Sequence, residues 1–353
     1  MTRNSANKTA PVIAKLLRRG TKEFGAHAIG TLSETSSVRC LSTGLPALDI
    51  ILSGDGITGT DGAMHGGFPM ARISELYGQY SSGKTTLGCM MLANVQALGG
   101  VGIVIDTEST LTKQRAEALG VDTDSLIHIR EEYIGPIFDQ MRMLLDEIPN
   151  DMPCVIFWDT IAASRSKSEK GFSLSSGGLA LQARELSEGL RRVTHCISQS
   201  SCAVIGCNQL KVGAIGVPFA TERDTESTAG GNAIKFYSAR RVRFKYAKKF
   251  MRTVKTKQVA TGLEVRATVT KNKDGRDGLR CTLVMEGGRY NIAMSCLRTL
   301  QDLGAVGKGM KVAFGTDNAT MSVADYEAQY NADAAFRNRV NVVLRTAYNG
   351  VHL

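Results

Sequence analysis

The sequence predicts an α/β fold, with a mostly parallel twisted sheet, helices on both faces and an antiparallel edge. Three continuous apolar runs support the parallel part, because strands buried on both faces lose the polar–apolar alternation. Segments with helical periodicity separate these runs, an order typical of parallel sheets covered by helices. From Arg240 onward, apolar residues alternate with basic ones, which predicts antiparallel strands. The apolar runs are Val101–Asp106, Cys154–Asp159 and Ser201–Cys207.

Composition and charge limit the class of protein. Of the 353 residues, 43% are hydrophobic and 22% are charged, which is ordinary for a globular protein. The net charge of +10 favours a polyanionic partner. No apolar run is long enough for a membrane span. The eight cysteines include no C-x-x-C pair, which predicts free thiols and a reducing, cytoplasmic compartment.

The N-terminal part, residues 1–37, is predicted to be a separate segment with one helix, Val12–Phe24. Because Met1–Arg19 is basic and free of acid, a mitochondrial transit peptide is an alternative to an exposed helix. A short apolar helix, Leu45–Leu52, comes next. The glycine-rich stretch Ser53–Gly67 then predicts a surface loop.

Residues 38–290 are predicted to form the main domain and residues 291–353 a small α(+β) domain, in which helices dominate. Two long stretches of the main domain, 165–178 and 211–231, have no regular pattern and are predicted to be functional loops. The remaining predicted helices are Thr86–Leu98, Tyr133–Ile148, Leu179–Ser198 and most of Tyr326–Tyr348. The remaining predicted strands are Arg72–Tyr77, Leu263–Thr270 and Leu279–Met285.

The stretch Gly78–Thr85 matches the P-loop pattern G-x-x-x-x-G-K-[ST] at every fixed position. A predicted strand precedes it and a predicted helix follows it, as such a loop requires. Its backbone N–H groups are expected to surround phosphates at a helix N-terminus. Lys84 is expected to reach the β- and γ-phosphates, and the Thr85 hydroxyl to hold Mg²⁺. The expected nucleotide contacts are Gly78, Gln79, Tyr80, Ser81, Ser82, Gly83, Lys84, Thr85 and Thr86.

Polar residues follow the predicted parallel strands at the edge where ligands bind in open α/β sheets. Asp159 ends an apolar run, which is typical of a Walker B carboxylate directed at Mg²⁺ or its waters. Glu108 follows another strand and is a candidate general base for water that attacks the γ-phosphate. Gln209 follows the third strand, and its amide is a candidate sensor of that phosphate. A structural carboxylate is the alternative for Asp159, and a surface acid for Glu108.

Basic residues are concentrated near the two loops and in the antiparallel part. Nine of them and no acid occur between Arg240 and Lys257. Basic residues with interspersed apolar or aromatic ones are typical of a groove for single-stranded nucleic acid; a solvated basic face is the alternative. The basic residues near the loops are Lys167, Lys170, Arg184, Arg191, Arg192 and Lys211.

Taken together, these motifs resemble those of the RecA family of homologous-recombination ATPases, over roughly residues 12–290. Glu226–Tyr237 and Thr270–Lys273 are the most specific matches, because these two stretches are not part of a generic P-loop ATPase. The other matching stretches are Leu41–Gly44, Leu48–Ile50, Gly78–Thr86, Ile105–Glu108, Gly120–Asp122, Trp158–Thr160 and Asn208–Gln209.

The resemblance implies a RecA-like P-loop ATPase core that binds ATP and Mg²⁺. Lys84 and Thr85 would bind the phosphates and Mg²⁺, and Asp159 would support the metal through water. Glu108 would activate the attacking water. Arg115 stands where relatives stack an aromatic residue on adenine, and its guanidinium is expected to stack there by a cation–π contact.

The resemblance also implies contacts with single-stranded DNA and with homologous duplex DNA. Gln209 would couple the γ-phosphate to the second DNA-binding loop, 211–231, and 165–178 would be the first loop. The implied DNA contacts are Arg184, Arg191, Lys211, Phe219, Gly230, Gly231, Asn232, Arg241, Lys245 and Arg266.

Helical self-assembly is implied as well, with accessory single-strand-binding and mediator proteins as further partners. Lys271 and Lys273 match lysines that reach the ATP of a neighbouring protomer. Lys235 and Phe236 match residues of the same interface. The N-terminal helix would dock on an adjacent subunit, which argues against the transit peptide.

The sequence departs from the family pattern in several places. The glycine-rich insertion Ser53–Met64 is not part of the family pattern, and the first DNA-binding loop is longer than that of the relatives. Thr268 stands where a lysine is common. No acid follows Asp333, whereas many bacterial relatives end in an acidic tail.

The sequence therefore predicts a recombinase that hydrolyses ATP, forms filaments on single-stranded DNA and exchanges strands. A hexameric helicase of the same fold is one alternative, although it gives no role to Lys271–Lys273. A recombination mediator that binds ATP without turning it over is another, and the pairing of Lys84 with Glu108 counts against it.

Overall fold

The computed structural model describes residues 6–25, 29–31, 39–53, 66–167, 176–212, 226–254, 257–307, 311–313 and 320–350. The chain divides into two compact units, residues 1–38 and 39–353. Within the first unit, helix α1 (Ala6–Phe24) is amphipathic and exposes Val12, Leu16 and Phe24. None of the described helices is long and apolar enough to cross a membrane.

The larger unit is built on one sheet that contains most of its strands. Its strand order is β12-β11-β10-β9-β3-β7-β6-β4-β5, and β8 pairs with β7. The six strands from β9 to β5 run parallel, whereas β10, β11 and β12 pair antiparallel. Two small antiparallel pairs, β1–β2 and β13–β14, lie outside this sheet. The strands are β1 (Cys40–Leu41), β2 (Phe68–Pro69), β3 (Arg72–Gly78), β4 (Val101–Asp106), β5 (Leu126–Ile129), β6 (Cys154–Asp159), β7 (Cys202–Val212), β8 (Glu226–Thr228), β9 (Arg240–Val254), β10 (Lys257–Asn272), β11 (Arg280–Glu286), β12 (Arg289–Asn291), β13 (Lys311–Ala313) and β14 (Thr320–Ser322).

Helices cover both faces of the sheet and bury a separate apolar core on each. Successive residues of a strand point to opposite faces, and the parallel strands are apolar on both. In β4, Val104 belongs to one core, whereas Ile103 and Ile105 belong to the other. The helices of this unit are α2 (Pro46–Ser53), α3 (Lys84–Ala97), α4 (Lys113–Ala118), α5 (Ile134–Glu147), α6 (Ser176–Gln199), α7 (Gly231–Tyr237), α8 (Ile292–Asp302), α9 (Val323–Ala332) and α10 (Ala334–Gly350).

This architecture confirms the predicted fold class, and the differences lie mainly at the ends of elements. Strand β7 continues past Gln209 to Val212 and pairs with β8, so the second predicted loop begins in a strand, includes β8 and ends at the first residue of α7. Its middle, 213–225, lies outside the described residues, as do 168–175 of the first loop and 54–65 of the glycine-rich stretch. Helix α6 starts at Ser176 and includes the last residues assigned to the first loop.

Several short elements have too weak a sequence pattern to be predicted. The edge strand β5 and helix α4 contain only four and six residues. In the C-terminal part, the α(+β) prediction did not assign residues to the short β13–β14 pair. Helix α1 begins at Ala6, before the predicted start at Val12.

Candidate active site

Four neighbouring parallel strands bring the predicted catalytic residues to one edge of the sheet. In the register of β3 and β7, Gly78 is level with Gln209. In the register of β4 and β6, Asp106 is level with Asp159. The P-loop, the Walker B carboxylate and Gln209 therefore meet at the carboxyl ends of the strands, as the sequence predicts.

The P-loop leaves β3 at Gly78 and enters α3 at Lys84. Gly83 has a φ of +90°, a left-handed conformation that glycine adopts without strain. A Cβ atom there would lie 2.4 Å from the hydroxyl of Tyr290, which donates a hydrogen bond to the Gly83 carbonyl (3.1 Å). Tyr290 thus supports the loop from β12, a contact that no pattern in the sequence indicates.

The Lys84 side chain is nearly buried and folds back over the loop. Its Nζ donates hydrogen bonds to the carbonyl oxygens of Gln79 (2.7 Å) and Gly78 (3.3 Å). Burial lowers the pKa of Lys84, while the nearby Asp159 and Glu108 carboxylates act in the opposite direction. The ammonium group is thus held at the mouth of the loop, where it can meet a phosphate.

Thr85 and Asp159 are joined directly. The Thr85 hydroxyl donates a hydrogen bond to Oδ2 of Asp159 (2.6 Å). Burial raises the pKa of Asp159, and the Thr85 hydrogen bond acts against that shift. The described residues contain no cluster of three His, Cys, Asp or Glu able to hold a metal. One hydroxyl and one carboxylate nevertheless fit Mg²⁺, which keeps several waters and is completed by substrate phosphates.

Glu108 and Gln209 also contact each other at this edge. Nε2 of Gln209 donates a hydrogen bond to Oε1 of Glu108 (3.0 Å). The candidate base and the candidate phosphate sensor, which are 101 residues apart in the chain, therefore form one unit. The sequence predicted a role for each, but not their direct contact.

A buried polar network lies behind Gln209 and was not predicted. Asn208 donates hydrogen bonds to Glu75 and to the Ala229 carbonyl, both at 2.9 Å. The second oxygen of Glu75 accepts a hydrogen bond from Arg241. One sequence signal was available: Glu75 interrupts the apolar strand β3, and a carboxylate inside a sheet needs a partner.

Arg115 lies in α4, beside the first turn of α3. Its guanidinium donates a hydrogen bond to the Thr86 hydroxyl (3.2 Å). This position flanks the P-loop helix, and stacking on adenine stays a prediction.

The arginines expected to contact DNA differ in how they are placed. Arg184 and Arg191 are exposed on α6, two turns apart on one face. Arg241, by contrast, is largely buried, because its guanidinium pairs with buried Glu75 and stacks on Tyr77. The Cζ atom of Arg241 lies 4.6 Å from the centroid of the Tyr77 ring. The structure therefore favours a structural role for Arg241 over a DNA contact, since its charge is already paired.

The glycines at the start of α7 lie against α6. A Cβ atom on Gly230 would come within 2.4 Å of Leu186, and one on Gly231 within 3.2 Å of Ala183. This close packing places Gly230 and Gly231 against the part of α6 that also carries Arg184, and the exposed Asn232 follows them directly in the chain. Lys211 lies in β7, level with Ser227, and Phe219 lies outside the described residues.

Lys245 and Arg266 are partners across β9 and β10, and both are exposed. Lys245 directly follows Phe244, which is level with Gly78. These two basic residues therefore lie near the same edge of the sheet as the P-loop.

Lys271 and Lys273 lie away from the edge that carries the P-loop, and Lys271 is level with Arg241 and so with Glu75 in the middle of β3. The Lys273 N–H donates to the Ala239 carbonyl, and the Ala239 N–H donates to the Ile73 carbonyl. Lys273 is thus level with the start of β3, five residues or roughly 16 Å before the P-loop. Nζ of Lys271 donates hydrogen bonds to the carbonyls of Lys235 (2.6 Å) and Phe236 (3.1 Å) at the end of α7.

Comparison with known proteins identifies relatives over most of the chain. The sequence model of the RecA N-terminal domain matches residues 12–278. Protein RecA of Symbiobacterium thermophilum is 35% identical over 255 residues, which are 71% of this chain and 67% of the relative. Protein RecA of Clostridium acetobutylicum is 35% identical over 269 residues, 76% of this chain and 71% of the relative. For Protein RecA of Leptospira biflexa, at 36% identity, the match spans only 60% of the relative.

Proposed function

We propose, since this chain belongs to the RecA family, that it is a recombinase driven by DNA-dependent ATP hydrolysis. In this proposal it forms helical filaments on single-stranded DNA and catalyses homologous pairing and strand exchange. The supporting observation is the contact between Glu108 and Gln209 beside the P-loop. This contact joins the group that would activate water to the strand that leads into the second DNA-binding loop.

The side chains at the sheet edge suit ATP hydrolysis. Lys84 would bind the β- and γ-phosphates, and Thr85 with Asp159 would hold Mg²⁺. When bound, Mg²⁺ would supply positive charge that stabilises the phosphates during transfer. Glu108 would orient a water molecule toward the γ-phosphate and accept its proton. Gln209 touches the same carboxylate, so its amide would change partners when the γ-phosphate arrives or leaves.

Two physical connections would carry this change to DNA. Strand β7 continues from Gln209 to Val212, at the start of the second loop. Asn208, next to Gln209, is bonded to the Ala229 carbonyl, at the end of that loop. Both ends of the loop are therefore attached to the sensor, which supports the proposal that ATP and DNA binding are coupled.

The placement of the lysines supports an ATP site shared between protomers. Lys273 is level with the far end of β3 from the P-loop, roughly 16 Å away along the strand. A lysine side chain cannot span that distance within its own chain. In a head-to-tail filament, each protomer presents a different face to the next one. Lys271 and Lys273 would then reach the ATP of a neighbour, with exposed Phe236 at the same interface.

The remaining expectations concern surroundings and partners. None of the described cysteines forms a disulfide, and we place the protein in a reducing compartment, the cytoplasm. Single-stranded DNA and homologous duplex DNA are the proposed substrates, and single-strand-binding and mediator proteins the proposed accessory partners. Roles in DNA repair and in the response to DNA damage follow from this activity.

The proposal is tested by the rate of ATP hydrolysis with and without single-stranded DNA, together with electron micrographs. We expect DNA to stimulate hydrolysis by the wild type, and the complexes to be helical filaments. Lys84→Ala should abolish turnover, because it removes a phosphate contact. Glu108→Gln should lose turnover but retain ATP-dependent DNA binding, because only the base is lost.

Unchanged unfolding temperatures of both variants provide the control for folding. Closed rings in the micrographs would favour the helicase. Turnover that DNA does not stimulate would contradict the proposed function, and normal hydrolysis by Lys84→Ala would contradict the nucleotide site itself.

A further inference from the structure

A cavity of about 530 Å³ lies apart from the ATP site, at the free edge of β11. Its walls come from β10, the start of β11, the end of α8 and Tyr348 of α10. Cavities of this size, roughly 300–1,000 Å³, are typical of sites for small organic ligands. Its lining combines apolar residues such as Leu279 and Leu303 with polar ones, and the exposed Arg266, Arg280 and Asp302 form its rim.

The walls are fixed by hydrogen bonds. Strand β12 pairs only with the last residues of β11, so α8 replaces a strand partner beside Thr282. The Thr299 hydroxyl accepts a hydrogen bond from the Thr282 N–H (3.1 Å) and donates one to the Thr282 carbonyl (3.2 Å). From α10, the Tyr348 hydroxyl donates to the Arg280 carbonyl (2.6 Å). The cavity is therefore preformed.

The two arginines at the rim give the cavity a positive character. Both are exposed, and neither guanidinium forms an ion pair or hydrogen bond with the described residues. A guanidinium binds phosphate oxygens through paired N–H donors. The rim is thus suited to a phosphate group.

Asp302 contributes a different kind of contact. Its Oδ2 accepts a hydrogen bond from the Thr282 hydroxyl (2.6 Å), which fixes the orientation of the carboxylate. Within the described part of the chain, Oδ1 accepts no hydrogen bond. Carboxylates read the exocyclic amino groups of bases, such as N4 of cytosine.

The cavity adjoins the basic surface where DNA is proposed to lie. Arg266 is the cross-strand partner of Lys245, so the cavity rim and this surface share a residue. A nucleotide of a strand on that surface would need only to turn out of its stack to enter. Enzymes that take bases out of a stack read them in such pockets.

We propose that this cavity binds one unstacked nucleotide of a DNA strand that lies on the surface around Lys245 and Arg266. Its phosphate binds Arg266 and Arg280, and the amino group of its base donates to Asp302. This inference rests on the proposed function for the origin of the strand. The recognition itself depends only on the cavity.

Calorimetry with the full chain and four probes tests the recognition: dCMP, dTMP, deoxyribose 5-phosphate and inorganic phosphate. We expect dCMP to bind about tenfold more tightly than dTMP, because only cytosine offers an amino group. Asp302→Asn should reverse this preference, since its amide can donate to O4 of thymine. Arg280→Ala should weaken the binding of dCMP and of deoxyribose 5-phosphate equally, by about tenfold, because both probes lose the same phosphate contact.

Arg289→Ala is the matched control, because it removes an exposed arginine from β12, outside the cavity. Equal binding of dCMP and deoxyribose 5-phosphate would overturn the proposal. So would an Asp302→Asn variant whose preference between the two pyrimidine nucleotides matches that of the wild type.

The origin of the nucleotide is tested by competition on protein already loaded with single-stranded DNA. A second oligonucleotide of deoxycytidine should displace dCMP, and an equally long oligonucleotide of abasic sites should not. Failure of the deoxycytidine oligonucleotide to displace dCMP would overturn the assignment to a DNA strand. Absent DNA-stimulated ATPase activity would contradict the proposed function, while the mononucleotide preferences would still decide the recognition step.

Discussion

Two adjacent arginines at the start of β9 are held inside the protein by different carboxylates. Arg240 is fully buried, and its Nη2 lies 3.8 Å from Oδ2 of Asp274. Its Nη1 donates a hydrogen bond to the Gly67 carbonyl. Arg241 pairs with the fully buried Glu75. A buried carboxylate without a partner is strongly destabilising, because its desolvation is no longer offset.

We therefore expect Arg241→Ala to lower the free energy of unfolding by about 3–5 kcal/mol, as measured in urea. The double variant Arg241→Ala with Glu75→Gln should be more stable than the single one, because the uncompensated charge is removed. Arg289→Ala, on the surface, should change stability little. A loss below about 1 kcal/mol for Arg241→Ala would mean that water reaches Glu75 and replaces the pair.

At the scale of elements, the close packing of α5 against α6 depends on glycine. A Cβ atom on Gly189 of α6 would lie 1.9 Å from the ring of Phe138 in α5. Phe138 in turn packs edge-on against Trp158 of β6, with ring centroids 5.5 Å apart. The ring has no free space to enter, so a larger residue must separate the helices.

Gly189→Ala should accordingly destabilise the protein by about 1–3 kcal/mol, despite the better helix propensity of alanine. Gly135→Ala is the control, because Gly135 lies in the first turn of α5 and its added Cβ atom would have nothing within 4 Å apart from its chain neighbours. That change should alter stability by less than about 1 kcal/mol, because the reduced freedom of the unfolded chain is offset by the steric conflict of alanine with the following residue, Pro136. Similar unfolding midpoints for the two variants would show that α5 and α6 can separate without cost.

At the scale of the whole molecule, the proposed ATP site of one chain lies at the carboxyl edge of the parallel strands, whereas Lys271 lies farther back along the sheet. Lys271 is level with Arg241, and Arg241 with Glu75 in the middle of β3. One chain therefore lacks part of the proposed catalytic charge at its own P-loop. A filament would complete each site from two chains.

A mixture of two inactive variants tests this arrangement. Lys271→Ala and Glu108→Gln should each be nearly inactive alone, but in an equimolar mixture roughly a quarter of interfaces combine an intact Lys271 with an intact Glu108. About that fraction of DNA-dependent ATPase activity should return. A mixture of Lys84→Ala with Glu108→Gln is the control, because both residues act in the same chain and no interface regains both. No recovery in confirmed mixed filaments would assign the lysines to their own chain.

Much of the fold and of the geometry of the candidate nucleotide site is encoded locally and could be predicted. The P-loop depends on glycines and a lysine at fixed spacing, and its conformation follows from short-range geometry. The parallel strands could be recognised because burial on both faces leaves a continuous apolar run, as in Val101–Asp106. Asp159 and Gln209 were placed at the ligand edge because parallel strands end there together.

What the sequence by itself determined about this protein is thus the order of the main strands and helices, the P-loop with the residues of the candidate nucleotide site, and the concentration of basic residues. Tertiary structure alone decided the partners of buried polar groups: Glu75 with Arg241, Glu108 with Gln209, and Tyr290 with the P-loop. Each of these pairs joins residues more than 100 positions apart. Local propensity and periodicity report only on neighbours along a chain, whereas a buried charge or hydroxyl is satisfied by whichever strand or helix the fold brings beside it.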